Sequence, residues 1–272
     1  MAEAVRLAVT GAAGRMGREV LDAATDRDDV DVVLAVNRSP VEEISGVPVR
    51  EAARIDELLA VEMPDVLVDF TGPESSADYV AACADAGVAA VVGTTGFDEE
   101  GRATLDSAAE SVPVLKAANF SRGVAALRRA VREAVAALPG YDIEVTETHH
   151  NGKRDAPSGT ANTILDDIDE VRSSNRRTRS GDTDDVRGES ERVHGRVGDQ
   201  PREDGEIGVH ARRAGDVTGE HEVLLAGNHE LLSLTHRAGA RGVFAAGALD
   251  AAVWVAGRDA GRYDFDDVLD QR

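Results

Sequence analysis

Along the first 120 residues two apolar patterns alternate. Short strand-like runs fall at 6–10, 30–36, 65–69, 88–92 and 112–116, and the apolar, β-branched 30–36 has the signature of a buried parallel strand. Helical spacing covers 16–25, 75–86 and 99–111, and Gly87 closes the second of these helices. Strand–helix alternation of this kind predicts an α/β chain with a Rossmann-like, doubly wound parallel sheet. After Asn119 the rhythm changes: the pattern predicts a long helix over 124–138, a strand over 142–148, a loop, and a helix from about 160. Residues 166–205 are polar and charged with almost no apolar periodicity, so an irregular, solvated excursion is expected there. Strand patterns return at 207–213, 222–226 and 231–236, and an alanine-rich helix follows at 243–255. The expected organisation is a first domain over 1–120, to which 239–272 return, and a second α/β domain over 121–238.

Composition narrows the class. No apolar run approaches the roughly 18 residues that a membrane helix needs. No charged-then-apolar segment precedes the first strand, so no secretory signal is expected. Cys83 is the single cysteine, which fits a reducing compartment, so a cytoplasmic location is expected. A formal net charge of −21 argues against nucleic acid as a partner, because like charge repels phosphate. Of 30 basic residues only Lys116 and Lys153 are lysine, and aromatics make up 3%. An acidic, lysine-poor, aromatic-poor chain resembles proteins of halophiles; an ordinary acidic protein is the plainer reading. The two differ in salt response. Carboxylate repulsion extends over a Debye length of about 10 Å in dilute buffer but only about 3 Å near 1 M salt. Melting temperature and activity are therefore expected to rise from dilute buffer into molar KCl. A flat or falling melting curve over that range would remove the halophile reading.

The candidate chemistry sits in two places. Gly11-Ala12-Ala13-Gly14-Arg15-Met16-Gly17 lies where the first strand turns into the first helix. Glycines there let the backbone approach a pyrophosphate, which the N–H groups of a helix start can bind. The spacing is G-x-x-G-x-x-G, and its position in a βαβ unit gives it weight. The second strand ends in Asn37-Arg38, without the carboxylate that accepts from the ribose 2′-hydroxyl of NAD. A guanidinium at that place favours the 2′-phosphate of NADPH.

The second place is Glu147-Thr148-His149-His150-Asn151-Gly152-Lys153-Arg154-Asp155-Ala156-Pro157-Ser158-Gly159-Thr160. Adjacent strand residues point to opposite faces, so His149 and His150 cannot readily share a metal, and no cysteine is near; no metal is expected. An acid–base site fits better. Histidine titrates near neutrality, and lysine can release a proton where arginine cannot. A chain that has given up nearly every lysine keeps one here. Ser158-Gly159-Thr160 has the form of a capped helix start, whose amides attract anions. With the cationic His, Lys and Arg side chains it suggests a carboxylate-binding pocket.

The stretch 147–161 resembles the motif E-x-H-H-x-x-K-x-D-x-P-S-G-T-A of the 4-hydroxy-tetrahydrodipicolinate (dihydrodipicolinate) reductase family. Asp69-Phe70-Thr71, Gly93-Thr94-Thr95-Gly96-Phe97, Ala117-Ala118-Asn119-Phe120-Ser121, Arg213-Ala214-Gly215-Asp216 and Gly219-Glu220-His221 agree with the same family in the same order. The resemblance implies an NAD(P)H-dependent reduction of a cyclic dicarboxylate in lysine biosynthesis through diaminopimelate, with NADPH preferred and NADH possible. It implies that Gly11, Ala12, Ala13, Gly14, Arg15, Met16, Asn37, Arg38, Gly93, Thr94, Thr95, Ala117, Ala118, Asn119 and Phe120 hold the dinucleotide. His149 would give or take a proton, Lys153 would donate one, and His150, Gly159 and Thr160 would bind substrate carboxylate. It also implies a second, mixed-sheet domain that builds a homotetramer. Two departures stand out: Asn37 replaces an acidic residue frequent in the family, and 166–205 matches poorly. An aspartate or homoserine dehydrogenase would share the glycine turn but lack His-His-x-x-Lys beside Pro-Ser-Gly-Thr. A non-catalytic NAD(P)H sensor would be expected to have lost His149 or Lys153.

Overall fold

Strand β1 (Val5–Thr10) enters helix α1 (Arg15–Thr25) through the glycine turn, and β2 (Val30–Asn37) pairs parallel beside β1. A short hairpin follows, β3 (Glu43–Ile44) and β4 (Val47–Glu51), then helix α2 (Ile55–Glu62). Strand β5 (Val66–Asp69), helix α3 (Pro73–Ala86), β6 (Ala89–Val92), helix α4 (Glu99–Ala108) and β7 (Pro113–Lys116) continue the alternation. Local chemistry sets the helix ends. Pro73 starts α3, left-handed Gly87 stops it, and the Asp98 carboxylate accepts from the Gly101 amide at the head of α4. The apolar pattern assigned no element between 37 and 65. There Ile55, Leu58 and Leu59 supply the buried stripe of α2, while the hairpin strands are too short and too exposed to show a period.

The computed structural model describes residues 3–180 and 190–270. These divide into two units, one formed by the residues up to Arg122 together with those from Arg241 onward, the other by Gly123–Ala240. In the second unit, helix α5 (Arg122–Ala137) precedes β8 (Asp142–His149), and helix α6 (Gly159–Ser180) follows it. The remaining strands are β9 (Arg192–Val193), β10 (Ile207–Arg213), β11 (Glu220–Gly227) and β12 (Glu230–Arg237). They form a mixed sheet in the order β12-β11-β8-β10-β9, in which β8 and β10 are parallel and β11 runs against β8 and β12. Ile143, Val145, Val209, Val223 and Leu225 point from this sheet into a core shared with Leu127 and Val131 of α5 and with Ile164, Leu165 and Ile168 of α6.

The excursion expected at 166–205 is corrected in its first part, because α6 runs on to Ser180. Ile164, Leu165 and Ile168 are fully buried, with Val171 packed against the same core, which is helical spacing hidden among charges. Those charges are paired: buried Asp167 takes Arg128 and Arg132, and Asp169 takes Arg192. Residues 181–189 of the segment lie outside those described.

The chain returns to the first unit as helix α7 (Gly242–Val255), strand β13 (Gly261–Tyr263) and helix α8 (Phe265–Leu269). The completed sheet has the order β13-β7-β6-β5-β1-β2-β4-β3 and is parallel except at β3. Gly247 lets α7 approach closely, since a Cβ there would lie 1.8 Å from the Phe120 carbonyl oxygen. Among the described residues no helix is long and apolar enough to cross a membrane.

Candidate active site

In a doubly wound sheet, ligands bind outside the carboxyl ends of the strands, where the order reverses on either side of the first strand. The residues predicted for the cofactor all lie at that edge of the first unit. Gly11 leaves β1 at φ +62°, and the Gly14 amide donates back to its carbonyl at 2.8 Å. A Cβ on Gly17 would stand 2.2 Å from the Gly11 carbonyl oxygen, so only glycine lets α1 start this close to β1. No side chain caps α1, and its first amides are left for a ligand. This cradle fits a dinucleotide pyrophosphate.

Behind it, buried Asp69 gathers three hydroxyls: Thr10 and Thr71 donate to one oxygen at 2.6 Å, and Thr94 to the other at 2.7 Å. The carboxylate thus ties the ends of β1, β5 and β6 together, a role that no sequence spacing revealed. Gly93 lies against the Phe70 ring, which a Cβ would overlap at 2.0 Å, and Thr95 is exposed beside it. Ala117, Ala118, Asn119 and Phe120 follow β7; the Asn119 side-chain Oδ1 accepts from the Ser121 amide, and Phe120 packs edge-on against Phe70 and Phe265. The Asn37 side chain bridges two loops at this edge. Its carbonyl oxygen accepts from the Ala13 amide at 3.3 Å and its amide donates to the Ser39 carbonyl at 2.9 Å. It joins the glycine turn to the loop that carries exposed Arg38.

The second unit gathers the acid–base residues at the end of β8. Glu147 and His149 are two apart on one strand and so share the buried face. The His149 Nδ1 lies 2.5 Å from one Glu147 oxygen, and Arg213 grips both oxygens, at 2.9 and 2.8 Å. Strand pairing explains the grip, since Arg213 on β10 sits in register with His149. The Ser158 amide completes the set at 3.2 Å, which carries the start of α6 to the same carboxylate. Glu147 is fully buried; burial alone would raise its pKa, but the bonds from Arg213 and His149 hold it below the usual value. Burial holds the His149 pKa below the usual imidazole value, against the pull of Glu147, and Nε2 faces Gly219.

His150 is half-buried and follows on the opposite side of the chain. Lys153 bonds Asp155 at 2.8 Å, and Asp155 also accepts from the Gly159 amide. Burial would raise Asp155, but the lysine holds it low. Ser158 caps α6 through its hydroxyl on the Ala161 amide, while Gly159 is exposed with open space where a Cβ would be. Each of the two predicted proton carriers thus sits on a carboxylate of the chain, His149 on Glu147 and Lys153 on Asp155, which also takes the Gly159 amide.

His221, from β11, lies 3.2 Å from the Ser158 hydroxyl with its ring edge-on to His149. Burial, then the neighbouring His149, pushes its pKa to about 4 from the usual 6.5. A depressed folded-state value means that the unfolded chain binds the proton more readily. Stability is complete above pH 6.5 and should fall as pH drops from 6.5 to about 4, a tenfold change in proton affinity being worth about 1.4 kcal/mol. His221→Gln should flatten the melting temperature over that window; an unchanged slope would assign the acid sensitivity elsewhere.

Family models for dihydrodipicolinate reductase match both parts of the chain, the N-terminal one over 5–120 and the C-terminal one over 123–269. The chain is 53% identical over 265 residues to the 4-hydroxy-tetrahydrodipicolinate reductase of Haloarcula marismortui, covering 97% of this chain and 99% of the relative. The enzyme of that name from Natronomonas pharaonis is 52% identical, covering 97% and 100%. Among solved structures, a dipicolinate-bound dihydrodipicolinate reductase from Paenisporosarcina sp. TG-14 matches with a TM-score of 0.75 at 25% identity, over 96% of this chain and 98% of that one. A C. glutamicum DAP dehydrogenase, at 17% identity and a TM-score of 0.55, shares the fold. Fold, cradle and relatives make this chain an NAD(P)H-dependent oxidoreductase. It belongs to the dihydrodipicolinate reductase family, which serves lysine biosynthesis through diaminopimelate.

Sequence spacing alone did not single out Glu147, Arg213 and His221 as partners of His149. The Glu-x-His alternation on one strand was the available signal for the first; the other two depend on strand register.

Proposed function

We propose that the chain reduces 4-hydroxy-tetrahydrodipicolinate to tetrahydrodipicolinate, with loss of water from the ring. The bound NAD(P)H supplies the hydride, with NADPH preferred and NADH usable. The observation that carries this reading is His149 bonded to a Glu147 that Arg213 grips, with the Lys153–Asp155 pair and the Gly159 amide in the loop that follows the same strand. In the free protein Asp155 takes the two donors, Lys153 Nζ and Gly159 N–H, that we assign to a substrate carboxylate. A dicarboxylate would displace it, with His150 and Thr160 completing the binding. Lys153, freed of Asp155, then faces the ring with a proton to give, and His149 relays a proton through Nε2.

The cofactor belongs at Gly11, Ala12, Ala13, Gly14, Arg15 and Met16, with Asn37, Gly93, Thr94, Thr95 and Ala117–Phe120 along the same strand edge and Arg38 at the 2′-phosphate. We assign 121–238 to substrate binding and oligomerisation, 1–120 with 239–272 to the dinucleotide, and a cytoplasmic location. Helices α5 and α6 cover one face of the mixed sheet, and Leu231 and Leu232 on β12 stay exposed. We take that sheet to build a homotetramer, which light scattering in molar KCl would measure. The function is tested by supplying NADPH, aspartate semialdehyde, pyruvate and the upstream synthase in concentrated KCl. NADPH absorbance should fall only when both enzymes are present, and no consumption by folded protein would sink the proposal.

A further inference from the structure

We infer that Arg50 is a second anchor for the 2′-phosphate of NADPH, acting beside Arg38. The inference rests on the cofactor reading above. The ends of β2 and β4 frame an open cavity of about 540 Å³ lined by Asn37, Arg38, Glu42, Arg50 and Glu51. The two strands run parallel with Val36 opposite Arg50 and Asn37 opposite Glu51, so both arginines reach the same carboxyl edge. That is the edge where the adenosine ribose of a bound dinucleotide lies in this fold.

Among the described residues neither guanidinium has a hydrogen-bond or ion-pair partner, in a chain with 51 acidic and 30 basic residues. Elsewhere Arg27, Arg54, Arg132, Arg192, Arg196 and Arg213 are all paired with carboxylates. Both guanidiniums are exposed on the one cavity wall and stand free to receive an anion from outside. Glu42 and Glu51 line the same cavity without pairing to either arginine. A phosphate monoester, with three acceptor oxygens and nearly two charges, can satisfy two guanidinium forks at once; a ribose hydroxyl cannot. The backbone that carries Arg38 is held by the Asn37 side-chain bonds to Ala13 and Ser39, and that of Arg50 by strand pairing to Val36.

The test is calorimetric binding of 2′,5′-ADP, 5′-AMP, NADPH and NADH at constant molar KCl. Arg50→Ala should weaken 2′,5′-ADP and NADPH about 10-fold, the scale of one charge-assisted contact, and change 5′-AMP and NADH by less than about 2-fold. Arg50→Lys should recover part of the loss, and Arg50 is exposed, so an unchanged melting temperature is expected in both variants. Equal losses for the phosphorylated and unphosphorylated ligands, or no loss at all, would overturn the role of Arg50. If Arg38→Ala alone separates NADPH from NADH, the inference fails and the cofactor reading stands. If the unaltered protein binds neither dinucleotide, the cofactor reading itself fails.

Discussion

Lys153→Arg is expected to remove most of kcat while leaving substrate affinity within a few-fold. The substitution keeps the positive charge beside Asp155, to which Lys153 is bonded at 2.8 Å, so a dicarboxylate still meets a cation there. What it removes is the proton. A guanidinium with a pKa above about 12 cannot donate at neutral pH, and general acids of this kind are typically worth about 10²- to 10⁴-fold in rate. Lys153→Ala should lose the same factor and bind substrate more weakly as well. NADPH affinity should stay near normal in both, because the cofactor groups belong to the other unit. Steady-state kinetics with direct dinucleotide titration separates the cases. Nearly full kcat in Lys153→Arg would make the residue an electrostatic anchor, and His149 or a bound water would have to carry the proton alone.

That prediction could be made from sequence because a lysine in a lysine-poor chain is conspicuous. Much of the fold was legible for a similar reason: buried parallel strands such as 30–36 and 88–92 are continuous apolar runs that no surface element imitates. The α/β class and its doubly wound parallel sheet follow from that pattern, and the structure has them. What stayed hidden depended on contacts distant in sequence. The second half of α6 reads as a polar excursion because its charges outnumber its apolar residues, and only pairing to Arg128, Arg132 and Arg192 makes those charges compatible with a packed helix. The β3–β4 hairpin is too short to carry a period, yet it places Arg50 beside Arg38. The side-chain bonds of Asn37 to Ala13 and Ser39 likewise depend on neighbours that no spacing reveals.

The same limit applies at the end of β8, and there it yields the other large expected effect. Glu147→Gln keeps the shape of the buried side chain but removes the charge that faces Arg213 and His149. Breaking a buried pair typically costs about 3–5 kcal/mol, so a clear drop in melting temperature is expected. A structural role alone would stop there. If Glu147 positions His149, kcat of the folded fraction should also fall by about 10²-fold with KM little changed, because Nδ1 loses the partner that fixes its tautomer. The pH profile decides between the two. Glu147 raises the His149 pKa against burial, while the Arg213 charge lowers it. Without Glu147 the imidazole stays neutral to lower pH, and the acid limb of kcat/KM should move down. Arg213→Ala removes the opposing charge and should move that limb up. Opposite displacements in the two variants are the expected result. Limbs that coincide with the unaltered protein in both would leave Glu147 and Arg213 as structural supports and assign the titration to another group.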